Sequence, residues 1–98
     1  MPVLAPGTLS PPRDVPPSIE RPAYVGKPRP DRFTGSEVKD AETIARMRIA
    51  GRIAARAMAT VAEHIVAGVT TDELDRVGHE YMWDHGAYPS TLGYRGFP

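Results

Sequence analysis

The run Ala87-Tyr88-Pro89-Ser90-Thr91-Leu92-Gly93-Tyr94-Arg95-Gly96-Phe97-Pro98 decides how the rest of the chain is read. Three aromatic rings and the β-branched Thr91 are threaded between Gly93, Gly96 and two prolines. Glycine lets backbone approach a ligand closely, and rings supply apolar walls. Such a run is no helix, and its composition is too specific for a plain linker. The expectation is a short extended or β segment that begins a pocket wall, with the remainder of the wall outside these 98 residues.

Immediately upstream, Thr70-Thr71-Asp72-Glu73 reads as a helix start. Thr70 with Glu73 three residues on is a capping box, and the acids suit the positive end of the helix dipole. Leu74, Val77, Gly78, Tyr81 and Met82 form the predicted buried face of this second helix, and Gly86 ends it. A first helix is predicted over Asp40 to about Ala67, with Asp40 as cap and Gly68 at or near the closing left-handed position. Ile44, Met47, Gly51, Ala54, Met58, Val61 and Ile65 recur three and four apart, giving one apolar stripe. Arg48, Arg52 and Arg56 run away from it as a solvated face. Ile49, Ile53 and Ala57 make a second apolar patch on the opposite side, and a helix apolar on two sides is covered on two sides. The short connection makes the pair an antiparallel helical hairpin.

Nine of the eleven prolines fall within residues 1–30, so residues 1–35 read as a Pro-rich extension and 36–98 as the body. Proline removes a donor and biases its predecessor away from the helix. The extension is therefore expected to be extended, as a semi-rigid spacer or as a strap lying on a partner, with Ile19, Tyr24, Val25 and Phe33 as its anchors where it lies on a folded body. No two prolines stand three apart, so an SH3-type ligand is not indicated. Without cysteine there is no disulfide or thiolate metal site in these residues. Zero formal charge argues against a dedicated nucleic-acid binder. No run approaches membrane-spanning length and no export signal is visible, which makes the cytoplasm the default compartment.

Candidate chemistry is thin. His79-Glu80-Tyr81-Met82-Trp83 misses the HExxH zinc pattern because Trp83 stands where the second histidine must be. His79 and His85 are six apart and share no helix face, and His64 lies in the other helix. Asp72, Asp75, Asp84, Glu73 and Glu80 read as capping and solvated charges. No nucleophile triad, phosphate loop or dinucleotide fingerprint appears.

Three blocks in order carry a resemblance: Met47-Arg48-Ile49-Ala50-Gly51-Arg52-Ile53-Ala54-Ala55, Gly68-Val69-Thr70-Thr71-Asp72-Glu73-Leu74-Asp75, and Gly86 through Pro98. Over Asp40 to Pro98 the chain resembles the N-terminal part of type I methionine aminopeptidases, with the Pro-rich lead similar to the extension of longer members. The resemblance implies an α/β pita-bread fold. It implies two divalent metal ions held by ligands that lie past Pro98, so no residue here is a metal ligand or a catalytic group, and the segment alone is expected to be inactive. It implies a cytoplasmic, monomeric hydrolase that takes the initiator methionine from nascent polypeptides, with ribosome docking as a role for the extension by analogy. It also implies that Thr91, Tyr94 and Phe97 line the pocket for the substrate methionine, Phe97 standing where many members have tyrosine. Packed against aromatic rings, a thioether is well accommodated. The competing reading is a non-catalytic interaction module with a Pro-rich tether and a helical-hairpin docking surface.

Overall fold

The computed structural model describes residues 3–97, and Met1, Pro2 and Pro98 lie outside the described residues. Two helices, α1 (Ala41–Glu63) and α2 (Thr71–Asp84), form the hairpin, followed by one 3-10 turn at Tyr94–Gly96. Asp40 caps α1 by accepting from the Thr43 N–H at 2.8 Å, and that bond holds its carboxyl below the usual carboxylate range. Thr70 caps α2 by accepting from the Glu73 N–H at 3.1 Å. Only half of the capping box forms, because the Glu73 carboxylate turns to the Arg76 guanidinium instead. Arg76 also reaches Glu80 at 2.6 Å one turn on. Thr70→Ala removes the cap acceptor and should cost about 1 kcal/mol, lowering the melting temperature by roughly 4–8 °C. A circular-dichroism melt checks this, and an unchanged midpoint would mean that α2 starts elsewhere.

At its other end α2 stops as expected. Gly86 sits at φ +71° and donates to Trp83 O at 3.1 Å, while the Ala87 N–H reaches Met82 O at 2.9 Å. Those are the paired bonds that satisfy the last carbonyls of a helix through a left-handed residue.

Helix α1 ends at Glu63, four residues short of the boundary expected from sequence. His64 Nδ1 bonds Thr60 O at 2.8 Å, and the His64 and Ile65 N–H groups fall back to Val61 O and Ala62 O. The last turn thus tightens, and its carbonyls are met without glycine. Gly68 instead serves the turn Val66–Val69, where Val69 N–H donates to Val66 O at 3.1 Å and the third position requires its φ of +92°.

The covered face of α1 takes Ile53 and Ala57 from the second patch and Val61 from the longer stripe, while Ile49 is 55% exposed. Ala57 is buried, with Ile53, Thr60 and Val61 half-buried. Met47, Met58 and Ile65 of the stripe are exposed, Met58 at 74%. Small residues decide this. Ala57 and Gly78 permit close approach of the two helices, and Val61 Cγ2 stands 3.3 Å from where a Cβ on Gly78 would be. The stripe leaves an apolar groove beside α2, lined in part by Ala54, Met58, Ala62, Ile65 and Met82. On α2, Val77 is buried and Leu74, Gly78, Tyr81 and Met82 are half-buried, the face that the sequence predicts.

Residues 3–35 contain no helix or strand, yet they supply Val15 and Ile19, two of the four buried apolar residues among those described. Arg21 knits the turn around them by donating to Val15 O, Pro16 O and Ile19 O at 2.6, 2.8 and 2.9 Å. The extension is therefore a strap laid on the hairpin. Of the four expected anchors, Ile19, Tyr24 and Val25 are covered to some degree, whereas Phe33 is 64% exposed, with Lys39 over its ring and Gly35 beside it. The radius of gyration is 16.1 Å against about 13 Å for a compact domain of this length. So thin a core agrees with the apolar surface left open on α1.

Candidate functional site

Residues 87–97 form turns, and no strand occurs among the described residues. The extended segment expected here has no second strand to pair with, and its composition curls it instead. Leu92 N–H closes on Pro89 O at 3.0 Å and Tyr94 N–H on Thr91 O at 3.1 Å. Gly93 at φ +76° donates to Phe97 O at 2.8 Å, and Phe97 N–H returns to Tyr94 O at 2.9 Å. Arg95 sits between these bonds at φ +50°, a left-handed conformation uncommon for a side-chain-bearing residue and held by the turn on both sides. The Tyr88 hydroxyl donates to Leu92 O at 2.8 Å, fastening the entry of the loop to its middle.

This closure brings Thr91, Tyr94 and Phe97 around one open cleft, with Arg95 and Gly96. Its volume of about 490 Å³ falls within the roughly 300–1,000 Å³ range of small-molecule sites. Tyr94 is 38% exposed and Phe97 60% exposed, so neither ring is buried among the described residues.

A second cleft meets the first at Thr91 and Phe97, and the strap forms its other side. Leu9, Pro11 and Pro12 line it together with Arg13, Asp72 and His79. Arg13 holds the strap there. Its Nη2 donates to Asp72 O at 2.9 Å and Asp72 Oδ1 at 3.1 Å, and its Nε donates to Asp75 Oδ2 at 3.0 Å. The Ser10 hydroxyl donates to the other Asp72 oxygen, and His79 Nε2 donates to Asp14 O at 2.6 Å. Asp72 and Asp75, read from sequence as capping and solvated charges, are thus partners of the strap. Arg13 and Ser10 were not singled out in the sequence, because their partners stand 59 to 62 residues away and composition carries no sign of that pairing.

The Ser10 hydrogen bond, and after it the Arg13 charge, hold the Asp72 carboxyl below its usual range. A depressed carboxylate contributes stability that is present above its unfolded value, about 3.9, and lost as pH falls through the folded value. The latch should therefore stay closed from pH 8 down to about 4 and open below it. The Ser10 amide resonance, followed by NMR across that range, reports the opening. A midpoint near neutrality would contradict the assignment to Asp72.

No group of three or more metal-ligating side chains occurs among the described residues. Each histidine spends a ring nitrogen on a backbone carbonyl, His64 on Thr60, His79 on Asp14 and His85 on Tyr81. His85 also stacks on Tyr81 with centroids 4.0 Å apart.

Comparison with known sequences finds relatives for this chain. The profile of metallopeptidase family M24 matches residues 45–98. Methionine aminopeptidase 2 of Mycobacterium tuberculosis is 58% identical over 95 residues, covering 97% of this chain and 33% of that protein. Methionine aminopeptidase 1D, chloroplastic/mitochondrial, of Arabidopsis thaliana is 45% identical over 96 residues, covering 97% of the chain and 27% of that protein. The mitochondrial methionine aminopeptidase 1D of Dictyostelium discoideum is 40% identical over 95 residues, covering 94% and 24%. The chain thus spans a third or less of the length of these curated relatives, and the similarity takes in the strap as well as the hairpin.

Proposed function

The chain belongs to metallopeptidase family M24, and we propose that it is the N-terminal part of a type I methionine aminopeptidase, in which it walls the pocket for the substrate's first side chain. The observation that carries this reading is the convergence of Thr91, Tyr94 and Phe97 on one cleft. Two ring faces and a methyl-bearing hydroxyl residue make a surface suited to a thioether, whose sulfur packs favourably near ring edges. The 58% identity to a methionine aminopeptidase over nearly the whole chain supports the same substrate.

In this reading the substrate is the N-terminal methionine of a new polypeptide, and the hairpin belongs to the pita-bread fold of the family. Metal ions catalyse in that family, two of them in our reading, but the described residues do not fit one: no ligand group exists and the histidines are engaged elsewhere. The role given to this chain is accordingly binding and orientation of the substrate side chain, with no part in the chemical step. Arg13 of the strap is bonded to Asp72 and Asp75 of α2, which favours this reading over the free tether of an interaction module.

Full-length protein supplied with divalent metal should release free methionine from Met-Ala-Ser, detected by chromatography. Failure to release it under every divalent metal offered would overturn the reading.

A further inference from the structure

The strap touches the candidate pocket from behind as well as in front. Tyr24 donates its hydroxyl to Ser90 O, and its ring meets Tyr94 edge-on, with centroids 5.2 Å apart at 84°. Val25 lies against Gly93, within 3.5 Å of where a Cβ would stand. The Arg21 guanidinium lies 5.8 Å from the centre of the Tyr88 ring. These contacts come from Arg21 and the two overlapping turns that follow it, in which Val25 N–H closes on Pro22 O and Lys27 N–H on Tyr24 O. All of them fall on the loop that carries Thr91 and Tyr94.

We propose that Tyr24, carried by the Pro-rich strap, is a positioning residue for the pocket: it fixes the loop at Ser90 and sets the tilt of the Tyr94 ring, and so governs selectivity for the substrate's first side chain. This rests on the reading of the cleft as a side-chain pocket. Edge-to-face pairs have a preferred geometry, so the Tyr24 ring gives Tyr94 one orientation over others. The hydroxyl adds a second constraint four residues away on the same loop. Behind the pair, Val25 fills the space that Gly93 leaves open, and the positive φ of Gly93 excludes a side chain there. Tyr24 never needs to reach the substrate. It acts by removing the freedom of the residue that does, and a loosened pocket wall lowers discrimination more than it lowers turnover.

The test uses the full-length protein in three forms: unmodified, Tyr24→Phe and Tyr24→Ala. KM and kcat are measured on Met-Ala-Ser and on the same peptide beginning with norleucine. Tyr24→Ala should raise KM for the methionine peptide about tenfold with kcat within about twofold, and shrink the methionine-to-norleucine preference. Tyr24→Phe keeps the ring contact and should recover most of the selectivity. Unchanged KM and unchanged selectivity in Tyr24→Ala would overturn the proposal. Hydrogen exchange read by mass spectrometry on peptides covering residues 88–97 decides it independently of turnover. Faster exchange at this loop in Tyr24→Ala, with α1 and α2 unaffected, supports the positioning role, and unchanged exchange contradicts it. A full-length protein that releases no methionine yet shows the faster exchange would sink the aminopeptidase reading and leave the strap-to-loop coupling standing. Should Tyr24→Ala fail to fold, Tyr24→Phe takes its place: loss of the Ser90 bond alone should speed exchange at Leu92 and Tyr94, and no change would contradict the proposal.

Discussion

Phe97→Ala in the full-length protein is expected to lower kcat/KM for methionine peptides about 10–200-fold, the equivalent of roughly 1–3 kcal/mol of transition-state binding lost with one apolar pocket wall. Stability is followed alongside, because truncating a buried phenylalanine costs ~3–5 kcal/mol. In this chain Phe97 is 60% exposed and its fixed features are backbone bonds to Gly93 and Tyr94, which alanine keeps. A melting midpoint within a few degrees of the unmodified protein, together with a large kinetic loss, would separate binding from folding. Thr91→Val refines the picture, since it preserves shape and removes the hydroxyl. Selectivity for methionine over norleucine holds if Thr91 only packs, and shrinks if its hydroxyl orients the thioether. Unaltered kinetics in both variants would remove this loop from the substrate site.

Ile19→Ala should destabilise the chain by about 2–5 kcal/mol, the usual cost of emptying a buried isoleucine site. For a domain of this size total stability is only ~5–15 kcal/mol, so the melting temperature should fall by more than about 10 °C. Leu9→Ala is the control from the same strap: Leu9 is 75% exposed, and its loss should stay within about 0.5 kcal/mol. Equal melting of the two variants would mean that the strap is a loose extension. The sequence alone leaves spacer and surface strap open, because prolines announce an extended chain and say nothing about what it lies on. Burial of Val15 and Ile19 and the Arg13 contacts with Asp72 and Asp75 favour the strap.

The parts of the fold that are local were legible from the residues. Asp40, Thr70 and Gly86 punctuate the helices where expected, since caps act over three or four residues and need no tertiary partner. The buried face of α2 followed its periodicity. On α1 periodicity offered two faces and could not rank them. The covered face runs between the two, with Ile53 and Ala57 from one and Val61 from the other, the last against Gly78, while Ile49, Met47 and Met58 stay exposed. The stretch from Ala87 onward misled in the other direction. Its glycines and aromatic rings were read as an extended wall, whereas Gly93, Arg95 and Gly96 at positive φ fold it into successive turns. Thr91, Tyr94 and Phe97 nonetheless line one cleft, together with the intervening Arg95 and Gly96. What sequence reading missed altogether was long-range polar pairing, as in Ser10 with Asp72 or Tyr24 with Ser90, where nothing near either residue points to the other.

The most direct test of the central claim asks where the first side chain of a substrate sits. A tripeptide beginning with photo-methionine, a diazirine analogue of methionine, is bound to the full-length protein and irradiated, and the adducts are mapped by mass spectrometry. Cross-links concentrated on Thr91, Tyr94 and Phe97, and suppressed by excess Met-Ala-Ser, are the predicted result. Cross-links that spare residues 88–97 while still being competed by Met-Ala-Ser would place the methionine pocket elsewhere and contradict the account.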